Sequence, residues 1–408
     1  MTKDATTKKG TLPEWGKKLL LVFSSIFMGL LMLESAVRIV EPREVMRYFF
    51  MTPDPVVSHK FTPNAKGRYK TTEFDIEYAI NSLGLRDREL TLEKPGGAFR
   101  ILMLGDSFTE GDGVRLSETF SSRLQGILDT ANGGLRCQVI NGGVGSYSPL
   151  LEYLYLKNGG LDLKPDLVIL NFDLSDVYDD IFYTSLARFD RRGIPVAVGP
   201  LPEYRAASWA DGLLVMIKDF LKDNTRLYNF IRIRIDRYIE VSRHQGTFTG
   251  NIHYDKYAML RESYNLKDDR DFTLSYKYLL MIRDTLKARG IDFWVTVYPY
   301  GLQVSPREWG TGRQIWGFKA DTVYSTRPQE LVQRFCQNNS IPIINMCDDF
   351  KLFARTFYPL CWDINGHWLP AGHELVARVI FQDLKPYLYE KTGAGSRHES
   401  YGQFRTEP

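Results

Sequence analysis

The sequence is short of several things, and each shortage removes a class of protein. Only 4 of its 408 residues are cysteine, and none form C-x-x-C. A disulfide-dense scaffold, a zinc ribbon and a thioredoxin-like redox site are therefore unsupported. Neither sign of charge dominates: 52 basic against 49 acidic residues leave a net charge of +3. That balance is too even for an obligate nucleic-acid binder, and no basic-aromatic tract suggests one. Internal repeats are absent. So are G-x-G-x-x-G and G-x-x-x-x-G-K-[ST], the loops that cradle phosphates, and the G-x-S-x-G elbow of ordinary α/β-hydrolases. A zincin helix fails because Ala377 stands where H-E-x-x-H, begun at His373 and Glu374, needs its second histidine. Nothing in the sequence calls for a metal or an organic cofactor.

What is present is globular. Apolar types make up 44% of the residues and aromatics 13%, which excludes a disordered or collagen-like chain. Near the N-terminus, five lysines in residues 1–18 precede the uncharged run LLLVFSSIFMGLLML (19–33). Alone this run is shorter than a bilayer core, which takes about 20 helical residues. It extends through Val40 if Glu34 and Arg38, four apart on one helical face, pair at the far interface. A cleaved signal peptide is the rival reading, but its best site, after Ala36, puts Glu34 at −3. The expected organisation is a cytoplasmic tail (1–18) and a single transmembrane signal-anchor (19–40), with the rest extracytoplasmic, in the periplasm or at the cell exterior.

Residues 41–97 read as a small β-containing pre-domain, with FDIEYAIN (74–81) alternating like an antiparallel strand. Five short apolar runs follow: RILML (100–104), CQVIN (137–141), LVILN (167–171), DFWVTVY (292–298) and IPIIN (341–345). Amphipathic stretches between them begin near Ser117, Ser148, Phe272, Pro328 and Pro370, residues that suit helix starts. The pattern predicts an α/β fold over 98–390, with a parallel five-stranded sheet between helical layers. An insertion or cap is expected over 178–270, and a disordered tail over 391–408. Trp309, Trp316, Phe318 and Tyr324 fall in a smaller insertion (301–327), where they could stack on sugar rings or plug a core. Cys137 reads as a buried free thiol, and Cys347 with Cys361 as the pair most able to form a disulfide.

Ligands of open parallel sheets bind beyond the carboxyl ends of the strands. After the first strand comes Gly105-Asp106-Ser107, which places a hydroxyl at a helix start; the ordinary alternative is an N-cap. The second strand ends in NGGVGSYS (141–148), whose glycines let backbone amides approach a ligand. The third ends in Asn171 followed by FDLSDVYDD; its four aspartates lack EF-hand spacing and read as a polar rim. Late in the chain, Asp363 and His367 precede a Pro-initiated helix, a carboxylate and an imidazole in one loop.

The order of these features resembles the SGNH/GDSL hydrolase superfamily, in particular its membrane-anchored bacterial branch. The resemblance covers about residues 98–390, with INSLGLRD…KPGGAFRILMLGDSFTEGDGV continuous across its start. It implies a flavodoxin-like three-layer αβα fold, with Ser107 as nucleophile, His367 as base and Asp363 as its orienter. The implied oxyanion hole is the amides of Ser107 and Gly143 with Ser175, while Asp106, Asn365 and Asp176 are supporting candidates. Three departures stand out. GDSF replaces GDSL. The third block reads Asp173-Leu174-Ser175-Asp176 in place of G-x-N-D. Asp363 lies four residues before His367 rather than three, which leaves Asn365 as the fallback orienter.

The implied activity is a serine esterase removing O-acyl, chiefly O-acetyl, groups from a cell-surface or secreted polysaccharide. An acylated carbohydrate and the membrane are the expected partners; no protein partner is indicated. The same site could serve a polysaccharide O-acetyltransferase, with a sugar hydroxyl replacing water. A lipid-directed esterase or thioesterase, and a non-catalytic carbohydrate-binding or assembly protein with a degenerate site, are the alternatives.

Overall fold

A computed structural model describes residues 13–40, 50–131, 136–200, parts of 217–270, and 271–392. Residues 1–12 of the expected cytoplasmic tail, 393–408 of the expected disordered tail, and much of the expected insertion lie outside the described residues. Two compact units are present: residues 1–44 with 206–240, and 45–205 with 241–408.

In the first unit, α1 (Glu14–Val40) is one continuous helix. It is long and apolar enough over Glu14–Ile39 to cross a membrane, with none of its apolar stretch buried. Glu34 and Arg38 do pair, at 2.7 Å. Glu34 also accepts the backbone N–H groups of Arg226 and Leu227, and Arg38 donates to the carbonyl of Asn224. The two charges thus meet the end of one helical stretch and the start of the next, each with the sign that the local backbone dipole favours.

The second unit opens with two antiparallel hairpins, β1 (Met51–Asp54) with β2 (Ser58–Phe61), and β3 (Lys66–Lys70) with β4 (Asp75–Ala79). The main sheet is built from β5 (Phe99–Gly105), β6 (Cys137–Asn141), β7 (Leu167–Phe172), β10 (Asp292–Val297) and β11 (Ile343–Asn345). Their order is β11-β10-β7-β5-β6, and all four pairings are parallel. Counted along the chain this is the flavodoxin-like order 2-1-3-4-5, with its topological switch between β5 and β7. Every residue of β7 is buried, as expected where helices cover both faces of a parallel sheet.

One helical group holds α3 (Phe120–Thr130), α10 (Cys347–Phe353) and α11 (Pro370–Thr392); the other holds α4 (Pro149–Lys157), α5 (Ser175–Leu186) and α6 (Thr273–Lys287). The shorter α2 (Ser107–Glu110), α7 (Gly301–Val304) and α8 (Gly310–Ile315) lie in connections, and α9 (Arg327–Asn338) packs on β10 and β11. Within the expected insertion, α5 is followed by a third hairpin, β8 (Ala187–Phe189) with β9 (Pro195–Val198).

The N-terminal hairpins belong to the same unit as the sheet and are bonded into it. Arg86, 1% exposed, donates to the carbonyls of Glu110, Gly111 and Val114, at and just past the end of α2. Its guanidinium lies 4.2 Å from the centre of the Tyr78 ring, and the Tyr78 hydroxyl donates to Glu110. Asp87 accepts the N–H of Asn141 at the end of β6, at 2.8 Å. Replacing Arg86 by Met keeps the bulk but strands three carbonyls. The substitution should destabilise the unit by several kcal/mol, at about 1–3 kcal/mol per orphaned acceptor, as measured by denaturant unfolding.

Candidate active site

β5 ends at Gly105, whose φ of +151° lies outside the ordinary range of L-residues; a Cβ there would come 2.1 Å from Thr109 Oγ1. Glycine is thus required for α2 to turn back tightly on its own strand. Asp106 caps α2, its Oδ1 accepting the Phe108 N–H at 2.9 Å, with Oδ2 3.5 Å from Ser107 Oγ. Ser107 opens the helix, so its own amide has no intrahelical partner.

The central contact joins residues 260 positions apart: Ser107 Oγ lies 2.7 Å from His367 Nε2. Ser107 is 9% exposed, and the imidazole packs against Phe108, ring centres 4.5 Å apart. The expected hydroxyl–imidazole pair therefore does form at the carboxyl edge of the sheet.

The expected orienter does not. Asp363 points away from His367: its carboxylate accepts the Thr311 N–H at 3.1 Å and the Thr311 hydroxyl at 2.5 Å. The Thr311 hydroxyl bond holds its pKa below the usual carboxylate value. Asn365 takes the place beside the ring, its Oδ1 2.5 Å from His367 Nδ1 and 3.1 Å from the His367 amide nitrogen. The reason is local. An Asx-type turn from Asn365 to His367 passes through Gly366 at φ +83°, folding the side chain two residues back onto the ring. Asp112, which no motif argument singled out, lies with Oδ2 3.7 Å from the same Nδ1.

The loop that carries His367 is fastened at several points. Glu73, in the turn between β3 and β4, accepts the amides of Ile364 and Asn365 at 2.8 and 2.7 Å. Glu308 accepts those of Leu360 and Cys361, and Trp309 Nε1 donates to the carbonyl of Ile364 at 2.9 Å. The aromatics of 301–327 serve this packing: Trp309, Phe318 and Tyr324 are buried and Trp316 contacts Tyr257. Trp309, Phe318 and Tyr324 thus form a plug, while Trp316 is half-buried.

The expected oxyanion donors differ in readiness. Gly143 packs so closely on α2 that a Cβ would lie 2.3 Å from the Glu110 amide, and its own N–H donates to Asn141 Oδ1 at 3.0 Å. The Ser175 amide donates to Asp173 and to the Tyr300 hydroxyl, while no hydrogen bond involves its side-chain hydroxyl among the described residues. Asp176 is buried and accepts the Asp173 amide at 3.0 Å.

The polar-rim reading of 173–180 needs correcting too: Asp173, Asp176 and Asp180 are buried. Asp173 accepts the hydroxyls of Tyr298 and Tyr300. Burial raises the pKa of Glu152 and of Asp176, and pushes Asp180 to about 7. The disulfide expectation fails as well, since all four cysteines are free and buried; burial pushes the Cys347 thiol to about 12. Among the described residues no cluster of His, Cys, Asp or Glu could hold a metal ion.

No family model and no curated protein matches the chain. Solved structures do. A catalytic mutant of Axe2, an acetylxylan esterase from Geobacillus stearothermophilus, is 13% identical over 72% of this chain and 96% of that one, with a TM-score of 0.39. The acetyl xylan esterase AlAXEase is 12% identical over 70% and 100%, TM-score 0.37. LAE5, an alpha/beta hydrolase enzyme from the metagenome of Lake Arreo, Spain, is 13% identical over 75% and 99%, TM-score 0.36. At these values no residue's role is taken from them.

Two outcomes are expected. Asn365→Ala should lower serine-dependent turnover about 10²-fold by freeing the imidazole to rotate, with Asp363→Ala giving a smaller loss. Steady-state kinetics on a chromogenic ester checks the ranking. Separately, Asp180 is protonated more readily folded than unfolded, so its contribution to stability is present below the ordinary carboxylate pKa and lost as pH rises through about 7. Asp180→Asn should therefore raise the unfolding temperature at pH 8 relative to wild type and change it little near pH 4, as measured by thermal melts.

Proposed function

We propose that this protein is an extracytoplasmic serine esterase of the SGNH/GDSL type, held to the membrane by α1. Its substrates are O-acyl, chiefly O-acetyl, esters of a cell-surface or secreted polysaccharide. The observation that carries the catalytic part is the 2.7 Å contact between Ser107 Oγ and His367 Nε2. The substrate class rests on the resemblance of the motif order and on the anchor.

In this reading His367 Nε2 accepts the Ser107 proton as Oγ attacks the ester carbonyl carbon. Asn365 Oδ1 accepts the Nδ1–H, so the neutral ring presents a bare Nε2 to the serine. The Ser107 amide and the Ser175 hydroxyl are assigned in this reading as donors to the tetrahedral oxyanion. The Gly143 amide would join them by giving up or sharing its bond to Asn141. The imidazolium then returns its proton to the departing sugar oxygen. Water, deprotonated by the same nitrogen, attacks the acyl-serine; the bond from the acyl carbon to Ser107 Oγ breaks, Oγ regains the proton from His367 Nε2, and the carboxylic acid leaves.

A second reading draws on one observation, the engagement of the Gly143 amide with Asn141. An oxyanion hole short of a donor loses about 10²–10³ in rate, and a binding protein with a decayed site would show the same arrangement.

The full chain in detergent separates these readings. A fluorophosphonate should label wild type and fail on Ser107→Ala, and His367→Ala should lower kcat by about 10²–10⁴. Acetyl esters should turn over faster than butyryl and longer p-nitrophenyl esters. Rates that climb with acyl length would move the assignment to lipids, and neither labelling nor turnover would favour the binding reading.

A further inference from the structure

An amide oxygen can fix the tautomer of an imidazole, but it carries no charge to set against the imidazolium that forms when the serine gives up its proton. The fold places Asn365 where a triad would have its carboxylate, yet an anion is present by another route. Asp112 Oδ2 lies 3.7 Å from His367 Nδ1, and the Asp112 side chain is 5% exposed. It is set there by backbone. The Asp112 N–H donates to the carbonyl of Ser107 at 3.0 Å, after a left-handed Gly111 that closes α2. Gly113, at φ +85°, follows with Trp362 packed against it. Nucleophile and carboxylate thus lie on one rigid turn, and the imidazole enters between them from the far end of the chain.

The other charged groups near the ring hold partners of their own, and Asp106 Oδ2 lies 3.5 Å from Ser107 Oγ. Asp106 caps Phe108, and Glu73 sits on the amides of Ile364 and Asn365. Arg86 is bonded to three carbonyls at and just past the end of α2. His373, fully buried, accepts the Phe120 N–H and is held neutral, its pKa pushed down to about 3.

The geometry points to Asp112 as a positioning residue that shares with Asn365 the work a single triad carboxylate usually does. Asn365 fixes the ring's tautomer and angle, and Asp112 supplies the negative charge that stabilises protonated His367. This deepens the esterase reading and rests on it.

The test compares Asp112→Asn, Asn365→Asp and the double variant in the full chain. Because Asn365 still orients the ring, Asp112→Asn should lower kcat/KM about 10²-fold, less than the roughly 10⁴-fold seen when a sole triad carboxylate is amidated. Loss of the nearby anion lowers the imidazole pKa, so the acid limb of the kcat/KM profile should move to lower pH. The double variant, with a carboxylate restored at 365, should recover to within about tenfold of wild type and return the limb to higher pH. An unchanged kcat/KM in Asp112→Asn, a loss with the limb unmoved, or no recovery in the double variant would each overturn the assignment. NMR titration of histidine-labelled protein reads the His367 pKa without any substrate. A lowered pKa in Asp112→Asn, in a protein that fluorophosphonate does not label, would leave this coupling standing while the esterase reading fell.

Discussion

The meeting of Ser107 with His367 is the constraint around which the rest of the second unit is arranged. The two residues come from opposite ends of the sheet-forming sequence, and a hydrogen bond between them tolerates only a few tenths of an ångström. No single packing contact provides that tolerance. Gly105 lets α2 fold tightly onto β5, Arg86 ties the carbonyls at the end of α2 to the N-terminal segment, and Glu73 holds the amides of the histidine loop. The Arg86 and Glu73 clamps each set a charged group on neutral backbone, where bonds to ionised partners are the stronger kind.

The switch between β5 and β7 explains why the pair lies where it does. Strands that diverge in connection leave a crevice at their carboxyl ends, and the segments after β5 and β7 border it with α2 and the start of α5. Buried hydroxyls and a carboxylate are joined nearby: Tyr298 and Tyr300 both donate to Asp173. Such a network is rigid only while its members stay paired, and burial keeps Glu152, Asp176 and Asp180 ready to hold protons that surface acids would have lost.

Much of this was legible in the residues. Unbroken apolar runs marked the five central strands to within two residues at their ends, because strands buried on both faces need little else. The hydroxyl and the imidazole, each ordinary alone, stood out only through the order of the motifs and the family resemblance that order carries. The misses share a cause. Asp173 to Asp180 looked like solvent-facing acids, so α5 was not foreseen, since charge in sequence says nothing about burial. Asp363 outranked Asn365 on chemistry, whereas the choice was made by the left-handed turn at Gly366. Glu73, Arg86 and Asp112 were passed over because an isolated charge in a loop has no periodicity to reveal its partner. Asp112 alone offered a hint, as the second Gly-Asp pair within GDSFTEGDG.

The histidine loop is also the last of these parts to leave the ribosome. Glu73 and Arg86 are synthesised early, the serine turn soon after, and the imidazole only once nearly all the sheet exists. A growing chain therefore carries Ser107 with no imidazole beside it until the segment around residue 367 has been made. The contact between the two side chains forms only once that late segment is in place, so in the proposed reading the hydroxyl gains its base after the strands of the sheet have been made.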